Sequence, residues 1–233
     1  MTHPHDLDSL KKATALKALD FVRDDMVVGL GTGSTAKHMV MALGEKVRAG
    51  MKLRGVPTSQ ETAALARQCG IALIDSDNRW EIDVAIDGAD QVDPGFNLIK
   101  GGGGALLKEK IVAASAKQFI VLVDHTKQVP ALGGSFPLPI EIIPFGWGST
   151  AREIETLTKS RVTLRERNGA PFNTEAGNLI VDVHLARVDQ PRELEIALNQ
   201  IPGIVETGLF VSRTDILIVG TPAGVQVHYP TRT

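Results

Sequence analysis

The stretch Lys100–Lys110 reads KGGGGALLKEK, with four consecutive glycines between a lysine and a helix-forming segment that carries Glu109. Packing gives no reason for four absent side chains in a row. Bare backbone does: successive N–H groups form a concavity that holds developing negative charge. Lys100 adds a full positive charge at its edge. Glu109 follows on the helix, and its neighbours Lys108 and Lys110 do not share its helix face. A carboxylate base beside an oxyanion-holding loop can move a proton next to a carbonyl. Taken alone, Glu109 would read as a surface salt-bridge partner.

Two further loops have chemical potential. GLGTGSTA, residues 29–36, follows the apolar MVV and opens a helix. Helix N-termini leave free N–H groups and a partial positive charge, so they bind anions. Gly33 lets a ligand approach the backbone, while Thr32, Ser34 and Thr35 add hydroxyl donors. From Gly31 the stretch also matches the dinucleotide pattern G-x-G-x-x-A. That pattern wants an acid at the end of the second strand, where this chain has VPTSQ, and a Walker lysine is absent. A small phosphate monoester fits better, and the plain alternative is a tight strand–helix turn. The third loop, DGADQVD, residues 87–93, follows the strand IDVAI, hence lies at a carboxyl end where ligands bind in parallel sheets. Asp87 and Asp90, spaced around Gly88 and Ala89, suit hydrogen bonds to sugar hydroxyls; solvated turn acids are the alternative. A calcium loop is excluded, because the place of its bidentate glutamate is Leu98.

The elements that must position these loops alternate. Helical periodicity predicts a helix over 10–22 with Leu10, Ala13, Leu16 and Leu19 on its apolar face and Asp8 or Ser9 as cap. MVVGL, MKLRGVP, IALI, EIDVAID and FIVLVD read as strands. STAKHMVMALGEKVRAG, SQETAALARQCG and ALLKEKIVAASAK read as the helices between them. Alternation implies right-handed crossovers and a mostly parallel, Rossmann-like sheet flanked by helices. At GGSFPLPIEIIP the texture changes, and Pro137, Pro139 and Pro144 suggest a boundary. Beyond it, two helices and three strands, VETGLFV the last, suggest a smaller α+β, ferredoxin-like domain inserted near the C-terminus. DILIVGTPAGVQVHY then returns two strands to the first sheet. The expected division is 1–131 plus 207–233 for the α/β catalytic domain and 132–206 for the small one.

The composition of the 233 residues narrows the partners. A net charge of −2 argues against nucleic acid or anionic membrane, and no apolar run is long enough to span a bilayer. MTHPHDLDSLKKATALKALD lacks a signal-peptide pattern, and Cys69 is the sole cysteine, so a cytoplasmic protein without disulfides is expected. Cys69, at a helix end closed by Gly70, reads as a buried or half-buried thiol. The six histidines, His3, His5, His38, His125, His184 and His228, are scattered, so no metal site is expected; His3 and His5 can at most bind a metal adventitiously.

GLGTGSTA, DGADQVD and KGGGGALLKEK in this order resemble the type A ribose-5-phosphate isomerases. DHTKQV, FPLPIEIIP, IPGIVETGLF and VGTPAGV extend the resemblance over nearly the whole chain. It implies an aldose–ketose isomerase of the non-oxidative pentose phosphate branch. Such an enzyme interconverts D-ribose 5-phosphate and D-ribulose 5-phosphate through an enediolate, without metal or cofactor, as a dimer or tetramer. Carried over by position, Glu109 is the base. Lys100 and Gly101–Gly103 surround the reacting carbonyl. Asp87 and Asp90, with Gly88 and Ala89, meet the sugar hydroxyls, and either acid can open the ring. Ser34, Thr35 and Lys127 match the phosphate contacts, with Lys11 from the first helix, and Thr32 and Gly33 belong to the same substrate-binding loop. Gly104 stands where relatives often have alanine, which implies a looser loop. Two other classes remain to be separated by assay. A sugar-phosphate-sensing regulator needs a helix-turn-helix for which no segment is spare. A coenzyme A transferase needs an adenine-nucleotide site.

Overall fold

The computed structural model describes residues 4–75 and 79–230, with side chains from Leu7 onward. In chain order the first elements are α1 (Pro4–Ala18), β1 (Val27–Leu30), α2 (Ser34–Arg48), β2 (Arg54–Pro57), α3 (Gln60–Gln68), β3 (Ala72–Leu73) and β4 (Val84–Gly88). Next come β5 (Gln91–Val92), β6 (Leu98–Ile99), α4 (Leu106–Ala114), β7 (Phe119–Asp124) and β8 (Leu138–Ile142). The remainder are α5 (Trp147–Thr158), β9 (Val162–Leu164), β10 (Glu166–Arg167), β11 (Ala170–Pro171), β12 (Leu179–Val183), α6 (Pro191–Leu198), β13 (Ile204–Thr207), β14 (Leu209–Phe210), β15 (Ile216–Thr221) and β16 (Gly224–His228).

The chain divides into two compact units. The first holds residues up to Ala89, Lys108–Gln128 and the chain from Arg213 on; the second holds Asp90–Leu107 and Val129–Ser212. Residues 90–107, which the sequence division gave to the α/β domain, thus pack within the second unit, where β6 pairs β14.

The first unit is built on a seven-stranded sheet of order β16-β15-β7-β4-β1-β2-β3, parallel throughout except for the β15–β16 hairpin. The last two strands do return to this sheet. Near-continuous apolar strands such as FIVLVD, buried at every position, suit a sheet covered on both faces. Val28, Leu30, Met39, Leu43, Ile86, Ile120 and Ile218 share its core. Cys69 caps α3, half-buried and packed against that core.

Helix α1 differs from expectation at both its start and its face. It begins at Pro4, where a proline at the first helical position loses no hydrogen bond. Asp8 is therefore inside the helix, and its carboxylate meets His38 Nε2 at 2.9 Å. The buried face carries Thr14, Ala15 and Ala18, whereas Leu16 is 46% exposed. Small residues are needed because α1 lies close on β15: a Cβ at Gly220 would be 2.9 Å from the Leu10 carbonyl oxygen. The side chains of His3 and His5 lie outside the described residues.

The second unit contains an antiparallel four-stranded sheet of order β13-β8-β12-β9, connected β-α-β-β-α-β, the ferredoxin-like arrangement. Its core includes Leu138, Ile140, Ile142, Ile154, Val181 and Leu198. A three-stranded sheet, β14-β6-β5, lies in the same unit. Within GGSFPLPIEIIP, whose prolines suggest a boundary, Leu138–Ile142 form β8, a central strand. A proline there should break the ladder. It is accommodated because Gly208 N–H donates to the Pro139 carbonyl at 2.7 Å, while the Gly208 carbonyl accepts from Lys100 N–H at 2.9 Å. The bond that Pro139 cannot make is thus made by Lys100. VETGLFV, expected as one strand, is split at the same glycine into β13 and β14.

Candidate active site

In the first unit, three adjacent parallel strands bring the expected residues to one edge of the sheet. β1 ends at the glycine loop, β4 ends at Asp87 and Gly88, and β7 leads into a short turn that ends at Lys127. Asp87 is 3% exposed. Its Oδ1 accepts from the backbone N–H groups of Thr32 (3.1 Å) and Gly88 (2.7 Å). This carboxylate presses so closely on the loop that a Cβ at Gly31 would lie 2.1 Å from Oδ1. Gly31 therefore makes room for Asp87 rather than for a ligand.

Gly33, by contrast, is open. It precedes α2 with φ of 103°, and nothing lies within 4 Å of where its Cβ would be. Gly33 and Ser34 are exposed and Thr35 is half-buried. The first helical bond of α2 runs from Lys37 N–H to the Gly33 carbonyl, so the amides of Ser34 to Ala36 form the open N-terminal turn. Thr32 departs from the expected role. Its hydroxyl lies 2.7 Å from Thr58 Oγ1 and donates to Ser59 Oγ at 2.9 Å; Ser59 donates to Thr62, which donates to the Gly31 carbonyl at 2.9 Å. With its amide on Asp87, Thr32 shapes the loop from inside. The signal was present in VPTSQET, whose hydroxyls follow the second strand at the place where a dinucleotide site wants an acid.

Glu109 is 6% exposed and sits in a tightly packed region shared with Gly31, Thr58 and Asp87. The first unit thus brings together the two carboxylates and the start of the glycine loop. Gly88 and Ala89 are half-buried at the end of β4. Lys127 is half-buried, its turn capped by Asp124, which accepts from Thr126 N–H at 3.0 Å. Lys11 is half-buried on α1, a helix that packs on α2, β7 and β15.

In the second unit, Lys100 is 3% exposed, with Nζ 5.5 Å from the centroid of the buried Phe210 ring. Its backbone is pinned by Gly208, where a Cβ would meet the Lys100 carbonyl oxygen at 2.4 Å. The four glycines are not a uniform row of bare amides. Gly102 N–H donates to Asp90 Oδ2 at 2.8 Å, and Gly104 N–H closes a turn onto the Gly101 carbonyl at 3.0 Å. Asp90 therefore holds the loop, beyond the hydroxyl contact expected of it. Gly103 is exposed and its amide is committed to no such contact. Gly104 does not loosen the loop: at φ of 89° it faces the Phe172 ring, 2.4 Å from where a methyl would sit. Gly208, and Arg165, which bonds the Gly101 carbonyl, hold this loop and carry no local sequence signal that singles them out.

Among the described residues, no group of three or more His, Cys, Asp or Glu side chains is placed to hold a metal ion. No helix there is long and apolar enough to cross a membrane.

The family model for ribose 5-phosphate isomerase A (phosphoriboisomerase A) matches residues 54–224. The chain belongs to this family. A ribose-5-phosphate isomerase A of Jannaschia sp. (strain CCS1) is 50% identical over 226 residues, covering 94% of this chain and 86% of the relative. One of Bradyrhizobium diazoefficiens is 48% identical, covering 95% and 96%. Among solved structures, a D-ribose-5-phosphate isomerase in complex with phospho-erythronic acid superposes with a TM-score of 0.92 at 44% identity, covering 96% of this chain and 99% of that one. The Methanocaldococcus jannaschii enzyme gives 0.90 at 40%, covering 95% and 99%. The family's α/β architecture, and its standing as isomerases, hold for this chain.

Proposed function

We infer that the protein interconverts D-ribose 5-phosphate and D-ribulose 5-phosphate through an enediolate. Beyond family membership, the observation that supports this reading is the pair of buried carboxylates, Asp87 and Glu109, packed beside the start of the glycine loop at the carboxyl edge of a parallel sheet. In this reading Glu109 takes the proton from C2 and returns it to C1. Such transfer contributes roughly 10²–10⁴-fold. Lys100 and the Gly103 amide stabilise the enediolate oxygen. Asp87 and Asp90 bond the sugar hydroxyls, and one of them assists ring opening. Gly33, Ser34, Thr35 and Lys127 hold the phosphate, which does not react but orients the sugar. Lys11 adds charge to the same phosphate.

The deciding experiment is incubation with ribose 5-phosphate in heavy water. Ribulose 5-phosphate carrying solvent deuterium at C1 is expected, diluted by protons that Glu109 carries across before exchange. No ketose at all would overturn the reading and leave the sensor or transferase classes.

We further infer a cytoplasmic homo-oligomer. Phe145, 88% exposed, has exposed Ile143 and Trp147 two residues to either side, and such a cluster of bare apolar side chains supports association through the second unit, because contiguous exposed apolar patches mark interaction surfaces. Phe145→Ser should lower the mass measured by light scattering; an unchanged mass would place any interface elsewhere.

A further inference from the structure

The second unit contains a charge pair that the reaction itself does not use. Arg165, between β9 and β10, and Asp182, on β12, have side chains only 14% and 15% exposed. Asp182 accepts from Arg165 Nε at 2.9 Å and from Nη2. The remaining nitrogen, Nη1, donates to the carbonyls of Gly101 at 2.7 Å and Gly102 at 3.2 Å. A half-buried arginine held on its far side by a carboxylate, with its free corner on two loop carbonyls, is a fixed clamp.

The consequence follows from peptide geometry. In a planar trans peptide the C=O and the next N–H point in opposite directions, and the chain has no cis bond among its described residues. The Gly101–Gly102 peptide is held at both ends, its carbonyl on Arg165 and its N–H on Asp90. The Gly102–Gly103 peptide is held at its carbonyl end only, by Arg165. Its N–H, that of Gly103, is thereby turned away from the guanidinium.

We propose that Arg165 is a positioning residue: by gripping the Gly101 and Gly102 carbonyls it aims the Gly103 N–H at the oxygen that becomes negative during isomerisation. The inference rests on the reading of this loop as an oxyanion site. Glycine is the residue least able to hold a peptide orientation by itself, so a donor built from glycines needs an external clamp. The positive charge at the carbonyl end also polarises the same peptide, which strengthens its N–H as a donor.

The test uses the full-length protein with Arg165→Met and Arg165→Lys, measuring kcat, KM and inhibition by phospho-erythronic acid and by inorganic phosphate. The acid presents carboxylate charge where an enediolate would; phosphate reports only the phosphate contacts. For Arg165→Met, kcat should fall by roughly 10- to 100-fold with KM within about twofold. Inhibition by the acid should weaken in step with kcat, while inhibition by phosphate stays unchanged. Arg165→Lys, which keeps charge but loses the fork, should fall between. Equal weakening of both inhibitors, or a kcat within about twofold of wild type, would overturn the assignment. If Arg165→Met fails to fold, the same separation in Arg165→Lys decides. A wild-type protein that the acid does not inhibit better than phosphate would remove the oxyanion reading itself, and the inference with it.

Discussion

The two glycine loops are held in shape by opposite means. The loop at 29–36 takes its shape from the edge of one parallel sheet. Its open amides are the first of α2, its floor is the hydroxyl chain of Thr32, Ser59 and Thr62, and a charged support is Asp87 at the end of the neighbouring strand. The loop at 100–104 has no such floor. It is held by charges and backbone from distant parts of the chain: Asp90, the Arg165–Asp182 pair and Gly208. A helix N-terminus points several amides one way by its own geometry. A run of glycines points nowhere until something outside grips it. The first loop is therefore suited to a fixed, fully charged group throughout the reaction, and the second to charge that appears only at the transition state.

This contrast is open to direct attack, and the largest effect is expected at Glu109, the proposed base that follows the second loop. Glu109→Gln keeps size and hydrogen bonding but removes the proton acceptor, so kcat should fall by roughly 10²–10⁴ with little change in KM. Hydrogen exchange into product should slow with it. A variant that exchanges at the wild-type rate would hand the role to Asp87 or Asp90.

Lys100→Met comes next. A charge that acts on the developing oxyanion is worth about 10²–10³ in kcat. If the loss fell on KM instead, the second loop would be a ground-state binder like the first, and the comparison would fail.

Substitutions in the proposed phosphate set should behave the other way. Thr35→Ala and Lys127→Ala should each lower kcat/KM on ribose 5-phosphate by about ten- to a hundredfold. Turnover of free ribose, poor in every form, should not distinguish them from wild type. Equal losses on both sugars would show that these residues support the fold rather than the phosphate.

The smallest effect tests the sheet that carries the first loop. Asp83 Oδ1 meets Lys117 at 2.7 Å, and its Oδ2 accepts from Val27 N–H at the start of β1 at 2.9 Å. The Lys117 ammonium first, and the Val27 amide second, hold the Asp83 carboxyl below its ordinary 3.8. A carboxyl whose folded value is depressed stabilises the fold above its unfolded value and loses that contribution as pH falls through the folded one. Asp83→Asn should therefore melt slightly lower at neutral pH, and the gap should close below about pH 4. A gap independent of pH would assign the effect to packing.

The sequence by itself determined the alternation of strands and helices, the return of the last two strands, and the three loops that carry polar chemistry. Those features are local: apolar periodicity, glycine before a helix, and acids after a strand are legible within about ten residues. It also placed Gly33, Ser34 and Thr35 on an open helix N-terminus, because helix geometry alone decides which amides are free. Only the tertiary structure decided the rest. Thr32 turned inward because hydroxyls at Thr58, Ser59 and Thr62, one strand away, took its side chain. FPLPIEIIP became a central strand because a glycine at 208 and a lysine at 100 together replaced the hydrogen bond that Pro139 lacks. The amide left open at Gly103 depends on Arg165 and Asp182, more than sixty residues further on. Glycines impose almost no conformation of their own, so the shape of a glycine-rich site is set by whatever the fold brings against it.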